Sequence, residues 1–272
     1  MLITPDISAL SYKRQLAKRF DRASRTYDSY ADFQKIVLDR LLAMLPLNQA
    51  DVVLDLGTGT GQALGVLSEQ LNTACNIALD LSPQMLTVAS ERYSFLSNTY
   101  YVCADAERLP LRDKLCDLVF SSLAIQWCLN PLDLFKELYR ITKPGGYVLF
   151  STLSQGSMPE ISQAWLGLDN EDHVHQYMAP ETLMDCIKSS GLNLSSSLLS
   201  DIPMWFDTPE SAIYSLKKVG ASLIASDGEK AMSPSKWKAF LYEYEKQRHE
   251  LGIPLSYQVS FVVAQRPFGI QE

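Results

Sequence analysis

Between residues 51 and 153, short continuous apolar runs alternate with longer segments whose apolar positions recur every three or four residues. The runs "VVLDLG", "IALDLS", "TYYVCAD", "DLVFSSLAI" and "YVLFSTL" read as strands, and "GQALGVLSEQL", "PQMLTVASERY" and "PLDLFKELYRIT" between them as helices. Strands that are apolar throughout are buried on both faces, so this rhythm predicts βαβ units and a parallel sheet with helices on either side. The punctuation agrees. Ser82-Pro83 is an N-cap followed by proline at the first helical position, and "KPGG" at 143–146 closes the helix that begins near Pro131.

The flanks have a different texture. Residues 12–45 read as an N-terminal helical segment, with Tyr27, Tyr30, Ala31, Gln34, Leu38, Leu41, Leu42 and Leu45 at spacings of three and four. Residues 154–179 carry few periodic signals, 180–190 read as a helix and "LNLSSSLLS" as a weaker strand. Helices follow at 209–219 and 233–250, and "LSYQVSFVVAQR" (255–266) is a last strand. Two helices exceed what a connection between the last two strands needs, so 203–254 reads as an inserted helical cap on one domain spanning 1–272, with 51–153 as its ligand-binding core.

Composition narrows the class. A chain of 272 residues that is 47% hydrophobic and 20% charged buries a sizeable core. No apolar run approaches the roughly 20 residues of a membrane helix, and "MLITPDISALSYKRQ" lacks the marks of a signal peptide, so the expected location is cytoplasmic, with no membrane partner. Cys75, Cys103, Cys116, Cys128 and Cys186 are widely spaced and form no C-x-x-C pair, which reads as buried small hydrophobes rather than disulfides or a zinc site. The net charge of −7 argues against nucleic acid as a partner. That charge is uneven: Lys13, Arg14, Lys18, Arg19, Arg22 and Arg25 against Asp6 and Asp21 leave residues 1–25 at +4 and the rest of the chain at −11. Such a segment is either a solvated helix face or a docking surface for an acidic partner.

The candidate chemistry begins at "VVLDLGTGTG". Glycines where a strand gives way to a helix let a ligand approach the backbone and the helix N-terminal amides. Asp55 ends that strand, and Asp80 ends the next one, 19 residues after Gly61, where a carboxylate suits a ribose diol. A nicotinamide dehydrogenase is the rival reading. Its loop is G-x-G-x-x-G and holds a pyrophosphate, whereas this one is G-x-G-x-G, and Asp55 beside it repels a diphosphate and favours an ammonium group.

"VLDLGTGTG", "ALDLSPQML", "DAERLPL" and "ITKPGG", in that order, resemble the class I S-adenosylmethionine-dependent methyltransferases. The resemblance implies a Rossmann-like, mostly parallel seven-stranded sheet with an antiparallel last strand. It also implies S-adenosylmethionine as methyl donor and S-adenosylhomocysteine as product. Gly57, Thr58, Gly59 and Gly61 would surround the methionine part with Asp55, and Asp80 and Leu81 would meet the ribose. Met85 would pack on the adenine, Asp105, Ala106 and Glu107 would meet its edge, and Ser121 and Ser122 would bring backbone oxygens to the ammonium group. Simple core packing for Met85 and a solvated turn for Asp105 and Glu107 are the plain alternatives.

A narrower resemblance rests on "RFDRASRTYDSYADFQ", "SSLAIQWC", "FSTLSQGSMPEISQAW", "DHVHQYMAPETL", "MWFDTPESAIYSLKKVGA" and "PLSYQVSFVVAQR", which together are similar to the malonyl-acyl carrier protein O-methyltransferases of biotin synthesis, over about residues 19–266. Two positions depart from the family pattern: Ser122 and His175 stand where Asn is common. The implied reaction places a methyl on the free carboxylate of a malonyl thioester, on acyl carrier protein or CoA. A carboxylate is ionised at neutral pH, so the pocket needs positioning groups and no strong base. The candidates are Tyr27 and Trp127 as walls, Gln126 and His173 as hydrogen-bond donors and Lys217 as a counter-charge. Two histidines, His173 and His175, without a third ligand do not suggest a metal. Acyl carrier protein is small and acidic, so Arg14, Lys18, Arg19 and Arg22, with Lys217 and Lys218, form the expected docking surface. The competing readings are a methyltransferase for another small carboxylate or a quinone precursor, a non-catalytic cofactor-binding module, and a nicotinamide-dependent oxidoreductase.

Overall fold

The computed structural model describes residues 7–169, 171–221 and 233–269. Its centre is a seven-stranded sheet of β1 (Val52–Leu56), β2 (Cys75–Asp80), β3 (Thr99–Cys103), β4 (Cys116–Ser122), β5 (Thr142–Leu153), β6 (Asn193–Phe206) and β7 (Ile253–Gln265) in the order β3-β2-β1-β4-β5-β7-β6. The first five strands are mutually parallel, and β7, the last in the chain, runs antiparallel to both neighbours, as expected. After β1 the chain winds outward to β3 and then returns to β4 on the other side of β1. That reversal opens a crevice beyond the carboxyl ends of β1 and β4, where such folds bind ligands.

The apolar runs explain the layers. Val53, Leu118, Phe120 and Leu149 face one side of the sheet, while Leu54, Leu56, Val119, Val148 and Phe150 face the other, and all nine are buried. Each such side chain contributes about 1.5–3 kcal/mol through burial, so the strand period of two builds a core on both faces. Helices α3 (Leu64–Leu71), α4 (Pro83–Arg92), α5 (Pro131–Ile141), α6 (Pro159–Trp165) and α7 (Pro180–Ser189) accompany the strands. At the start of α4, the Ser82 hydroxyl accepts from Met85 N at 3.2 Å with Pro83 next to it, the cap read from the sequence.

Two boundaries differ from expectation. Residues 12–45 are not one helical run: α1 (Ile7–Ala23) is followed by a short 3-10 turn (Tyr27–Ser29) and then α2 (Asp32–Leu42). The hydroxyls of Ser24 and Thr26 donate to Asp21 O and Ala23 O at 2.9 and 3.2 Å, so side chains take up carbonyls at the end of α1. The inserted cap is shorter than 203–254, because β6 stays paired with β7 up to Phe206 opposite Ile253. Among the described residues of the insertion, the helices α8 (Pro209–Lys218) and α9 (Pro234–Glu245) stand outside the sheet, α8 opening on a Thr208/Ser211 capping box. The insertion packs on α6, where Trp165 stacks on Phe240 at 4.7 Å between ring centres.

Candidate active site

The glycine loop turns back against the end of β2. Gly57, Gly59 and Gly61 have φ of +72°, +56° and +82°, the left-handed region that favours glycine. A Cβ on Gly57 would lie 2.2 Å from Ala124 Cβ, so the loop and the segment after β4 approach as closely as they do because that side chain is absent. Gly61 serves packing: a Cβ there would press on Ala89, Leu64 and Tyr93 at 3.1–3.2 Å.

Two carboxylates lie under this loop. Asp55 is 2% exposed and accepts from Thr58 Oγ1 at 2.6 Å. Asp80 accepts from Gly59 N at 2.9 Å and from Ser82 N at 2.8 Å. Burial pushes Asp55 up to about 7, opposed by its Thr58 bond and reinforced by the nearby Asp80. Burial likewise raises Asp80 to about 6, opposed by the backbone N–H groups of Ser82, Gly59 and Leu81. Neither carboxylate has a basic partner among the described residues, which suits a cationic ligand. Asp80 opens into a cleft of about 740 Å³ whose apolar walls include Leu79, Leu81, Met85 and Ile125, with Asp105 and Ala106 at its margin. Lys13 is the only basic side chain lining that cleft among the described residues, and it is bound to Asp105 at 2.9 Å and to Glu107. Buried acids without a cation, an apolar shelf and no base free for a diphosphate fit S-adenosylmethionine and not a dinucleotide.

Beyond β4 the chain kinks. Leu123 adopts φ +52°, a conformation that costs a non-glycine residue about 1–3 kcal/mol, and its N–H donates to Ser151 O at 3.0 Å. The kink starts a 3-10 turn, Ile125–Trp127, which sets Trp127 between the cofactor cleft and a second cavity. Tyr27 lines both spaces, and also a pocket over Asp55 and Thr58. The second cavity is lined by Gln126, Tyr177 and Tyr257 as well, and no charged side chain lines it. Burial pushes the phenols of Tyr27, Tyr177 and Tyr257 well above their ordinary value, so they are neutral hydroxyls. None of the three hydroxyls has a hydrogen-bond partner among the described residues.

The expected residues divide accordingly. Tyr27, Gln126 and Trp127 come together at the second cavity, while Asp80, Leu81, Met85, Asp105, Ala106, Gly57, Gly59 and Ser122 line the cofactor cleft. Asp55 and Thr58 sit beneath the loop. Ser121 lies outside the cleft: it is buried and its hydroxyl donates to Leu56 O at 2.8 Å, strapping β4 to β1. Glu107 accepts from Lys13 and from Asn130 N instead of lining the cleft. Gln126 already spends its amide, donating to Leu123 O at 2.7 Å and accepting from Thr152 Oγ1 at 3.4 Å.

His173 and Lys217 are not at the cavity. His173 stacks on Trp165 at 3.7 Å and pairs with Asp169 at 2.8 Å, because α6 and the segment after it offer an aromatic face and a carboxylate, the latter also paired with Lys236 of the insertion. His175 is the histidine beside Trp127, 5.7 Å away between ring centres, with Tyr177 on its other side at 5.1 Å. The two histidines thus diverge onto different aromatic groups. Lys217 lies over Trp237 at 5.9 Å, outside the second cavity.

Other residues escape the sequence pattern. Leu16 and Phe20 of α1 line the cofactor cleft, Phe20 meeting Trp127 edge-on at 5.8 Å. Asp21 fixes this cover to α4 by accepting from Ser82 Oγ at 2.6 Å and Gln84 N at 3.2 Å. Asp28 accepts from Thr60 Oγ1 at 2.6 Å and Gln62 Nε2 at 2.7 Å, and pairs with Arg92. Phe20, Asp21 and Asp28 lie inside "RFDRASRTYDSY", but nothing in their spacing marks the long-range contacts.

Residues 54–150 match the methyltransferase domain family. A curated protein of Marinomonas sp. (strain MWYL1), named malonyl-acyl carrier protein O-methyltransferase, is 83% identical over 270 residues, which are 99% of this chain and 100% of that one. A protein of the same name from Laribacter hongkongensis (strain HLHK9) is 32% identical, over 94% of this chain and 90% of its own. Among solved structures, geranyl diphosphate C-methyltransferase from Streptomyces coelicolor A3(2), crystallised with S-adenosyl-L-homocysteine, shares the fold with a TM-score of 0.54 at 15% identity, over 85% of this chain and 76% of that one. With the glycine loop, the paired acids and full-length identity of this order, the chain belongs to the malonyl-acyl carrier protein O-methyltransferase family.

Proposed function

We propose that the protein transfers the methyl group of S-adenosylmethionine to the free carboxylate of malonyl-acyl carrier protein, giving the methyl ester that masks the distal end for chain extension toward biotin. The observation that carries this reading is the near-complete, 83% identical match to a protein of that name. The neutral cavity that shares Tyr27 and Trp127 with the cofactor cleft supports it. The methyl donor supplies, when bound, an electrophilic methyl on a sulfonium, and leaves as S-adenosylhomocysteine.

The chain's own contribution is positioning. Asp55 faces the ammonium end and Asp80 the ribose, with Ser122 and the loop of Gly57, Thr58 and Gly59 between them. Leu81, Met85 and Ala106 form the shelf for the adenine, and Asp105 its edge. Tyr27 and Trp127 wall the passage to the acceptor, and Gln126, held by Leu123 and Thr152, shapes its side. Tyr27, Tyr177 and Tyr257 supply neutral hydroxyl donors for the malonyl carboxylate. Hydrogen bonds without a full counter-charge hold the oxygen nucleophile yet leave it reactive in a water-poor space, which contributes several kcal/mol of order-of-magnitude barrier reduction.

The carrier docks on the outer face of α1. Arg14, Lys18 and Arg22 are exposed there at a spacing of four, one stripe along the helix, whereas Lys13 points inward to Asp105. Five unpaired cysteines and the lack of any helix, among the described residues, long and apolar enough to cross a membrane support a cytoplasmic setting.

Methyl-transfer rates with malonyl-acyl carrier protein, malonyl-CoA, acetyl-acyl carrier protein and unrelated dicarboxylates, each at rising salt, test this reading. Transfer to malonyl thioesters alone is expected, with the carrier-protein rate falling steeply with salt as surface attraction is screened. Failure on both malonyl thioesters would overturn the assignment, and a salt-independent carrier-protein rate would overturn the docking stripe.

A further inference from the structure

Four cations meet where the N-terminal cover touches the inserted helices. Arg19 and Arg22 of α1 and Lys217 and Lys218 at the end of α8 line one open pocket with Thr26 and Gly220. None of the four has an acidic partner among the described residues. Asp21, the acid between the two arginines, is turned away to Ser82 and Gln84. Lys218 is held by aromatic faces instead, 4.8 Å from the centre of Tyr214 and 5.4 Å from that of Tyr30, and Lys217 lies 5.9 Å from that of Trp237. Rings orient an ammonium without neutralising it. Two guanidinium forks and two ammonium groups lining one pocket, with no acid among the described residues paired to them, match a phosphate oxyanion, which arginine binds bidentately and lysine as a point charge.

The pocket backs onto the acceptor cavity. In the stretch 216–221, Leu216, Val219 and Ala221 line the neutral cavity, while Lys217, Lys218 and Gly220 line the basic pocket. Phe20 joins the two: it lines the acceptor cavity, meets Trp127, and lies so close to Gly220 that a Cβ there would be 3.0 Å from Phe20 Cδ1. A thioester substrate of the kind proposed above carries its acyl group on a phosphopantetheine arm, with a phosphate at one end and the thioester at the other. A neutral cavity for the carboxylate and a cationic pocket across the 216–221 segment supply the two kinds of group that such a substrate presents, a carboxylate and a phosphate.

We propose that Arg19, Arg22, Lys217 and Lys218 form a phosphate site that anchors the phosphopantetheine arm of the malonyl thioester; the inference rests on the malonyl thioester reading. Lys217 then neutralises the phosphate, and the carboxylate stays among neutral hydroxyls. The shared chemistry is the pantetheine phosphate, which carrier protein and CoA both bring.

The test compares kcat/KM for malonyl-4′-phosphopantetheine and malonyl-pantetheine, two small substrates that differ only in the phosphate, using the full chain and its Arg22→Ala and Lys217→Ala variants. Charge-assisted bonds of this kind lead to an expected preference of roughly tenfold or more for the phosphorylated substrate, carried by KM and falling towards one in the variants. Calorimetric S-adenosylmethionine binding by the variants checks that they are folded. If the intact protein uses both small substrates equally, or if folded variants keep its preference, the phosphate site is overturned and the cations serve carboxylates of the carrier protein instead. Malonyl-acyl carrier protein and malonyl-CoA, assayed on the same variants, tell which carrier brings the phosphate: loss on at least one is expected, and loss on neither overturns the site. Failure of every malonyl substrate with the intact protein would count against the thioester reading itself, a distinct result.

Discussion

Asp55 and Asp80 hold their protons to higher pH than ordinary carboxylates because burial penalises their charge. A raised folded-state value means that the ligand-free protein gains stability from these groups at low pH and loses that contribution as pH rises through about 6 and about 7. A bound cation beside Asp55 reverses the balance by favouring the ionised form. S-adenosylmethionine affinity should therefore climb by up to about tenfold per pH unit below the raised value and level off at higher pH. Asp55→Asn should flatten that climb and weaken binding at high pH. Calorimetry between about pH 5.5 and about pH 8.5 checks both, and a flat profile for the intact protein would remove Asp55 from the ligand's charge balance. These two acids were legible in the sequence because a strand end next to a glycine loop fixes where a carboxylate must go. Tyr177 and Tyr257 were not legible. Their roles depend on β7 and on the segment before α7 folding back over the cavity, and no local spacing encodes that return.

At the scale of elements, the N-terminal segment is the cover of the cleft. Lys13, Asp21 and Asp28 bind β3's exit loop, the start of α4 and the glycine loop, in that order along the chain. Asp28 also sets Tyr27, its neighbour, against all three spaces of the site. Asp28→Ala breaks its bonds to Thr60, Gln62 and Arg92, leaving the arginine without its carboxylate. The expected result is a loss of roughly tenfold in S-adenosylmethionine affinity and a fall in kcat, with Asp28→Asn retaining part of the hydroxyl contact and part of the activity. Steady-state kinetics with both variants checks this, and unchanged constants would make the link merely structural. The periodicity of 12–45 identified helix but missed the break at 24–31, since hydroxyl-to-carbonyl bonds and a carboxylate reaching another loop leave no mark in an apolar pattern.

For the whole molecule, the parallel core and its switch point follow from the alternation of apolar runs and helical segments. The insertion between β6 and β7 was recognised but drawn too wide, because β6 is an edge strand whose polar face hides its length. The packing of α9 on α6 also accounts for His175, not His173, standing beside Trp127: Trp165, stacked on Phe240, holds His173 and leaves His175 against Trp127. The molecule joins an acid-lined cofactor cleft, a neutral second cavity and a basic outer face of α1, in the order in which a cationic donor, a carboxylate and an acidic carrier would be needed. The decisive readout is the intact mass of malonyl-acyl carrier protein after one turnover with S-adenosylmethionine, before and after a carboxyl methylesterase that leaves the thioester intact. A single methyl gained by the malonyl form, lost again on ester hydrolysis, and none gained by the acetyl form are expected. A malonyl carrier of unchanged mass, or a methyl gained by the acetyl form, would contradict transfer to the malonyl carboxylate.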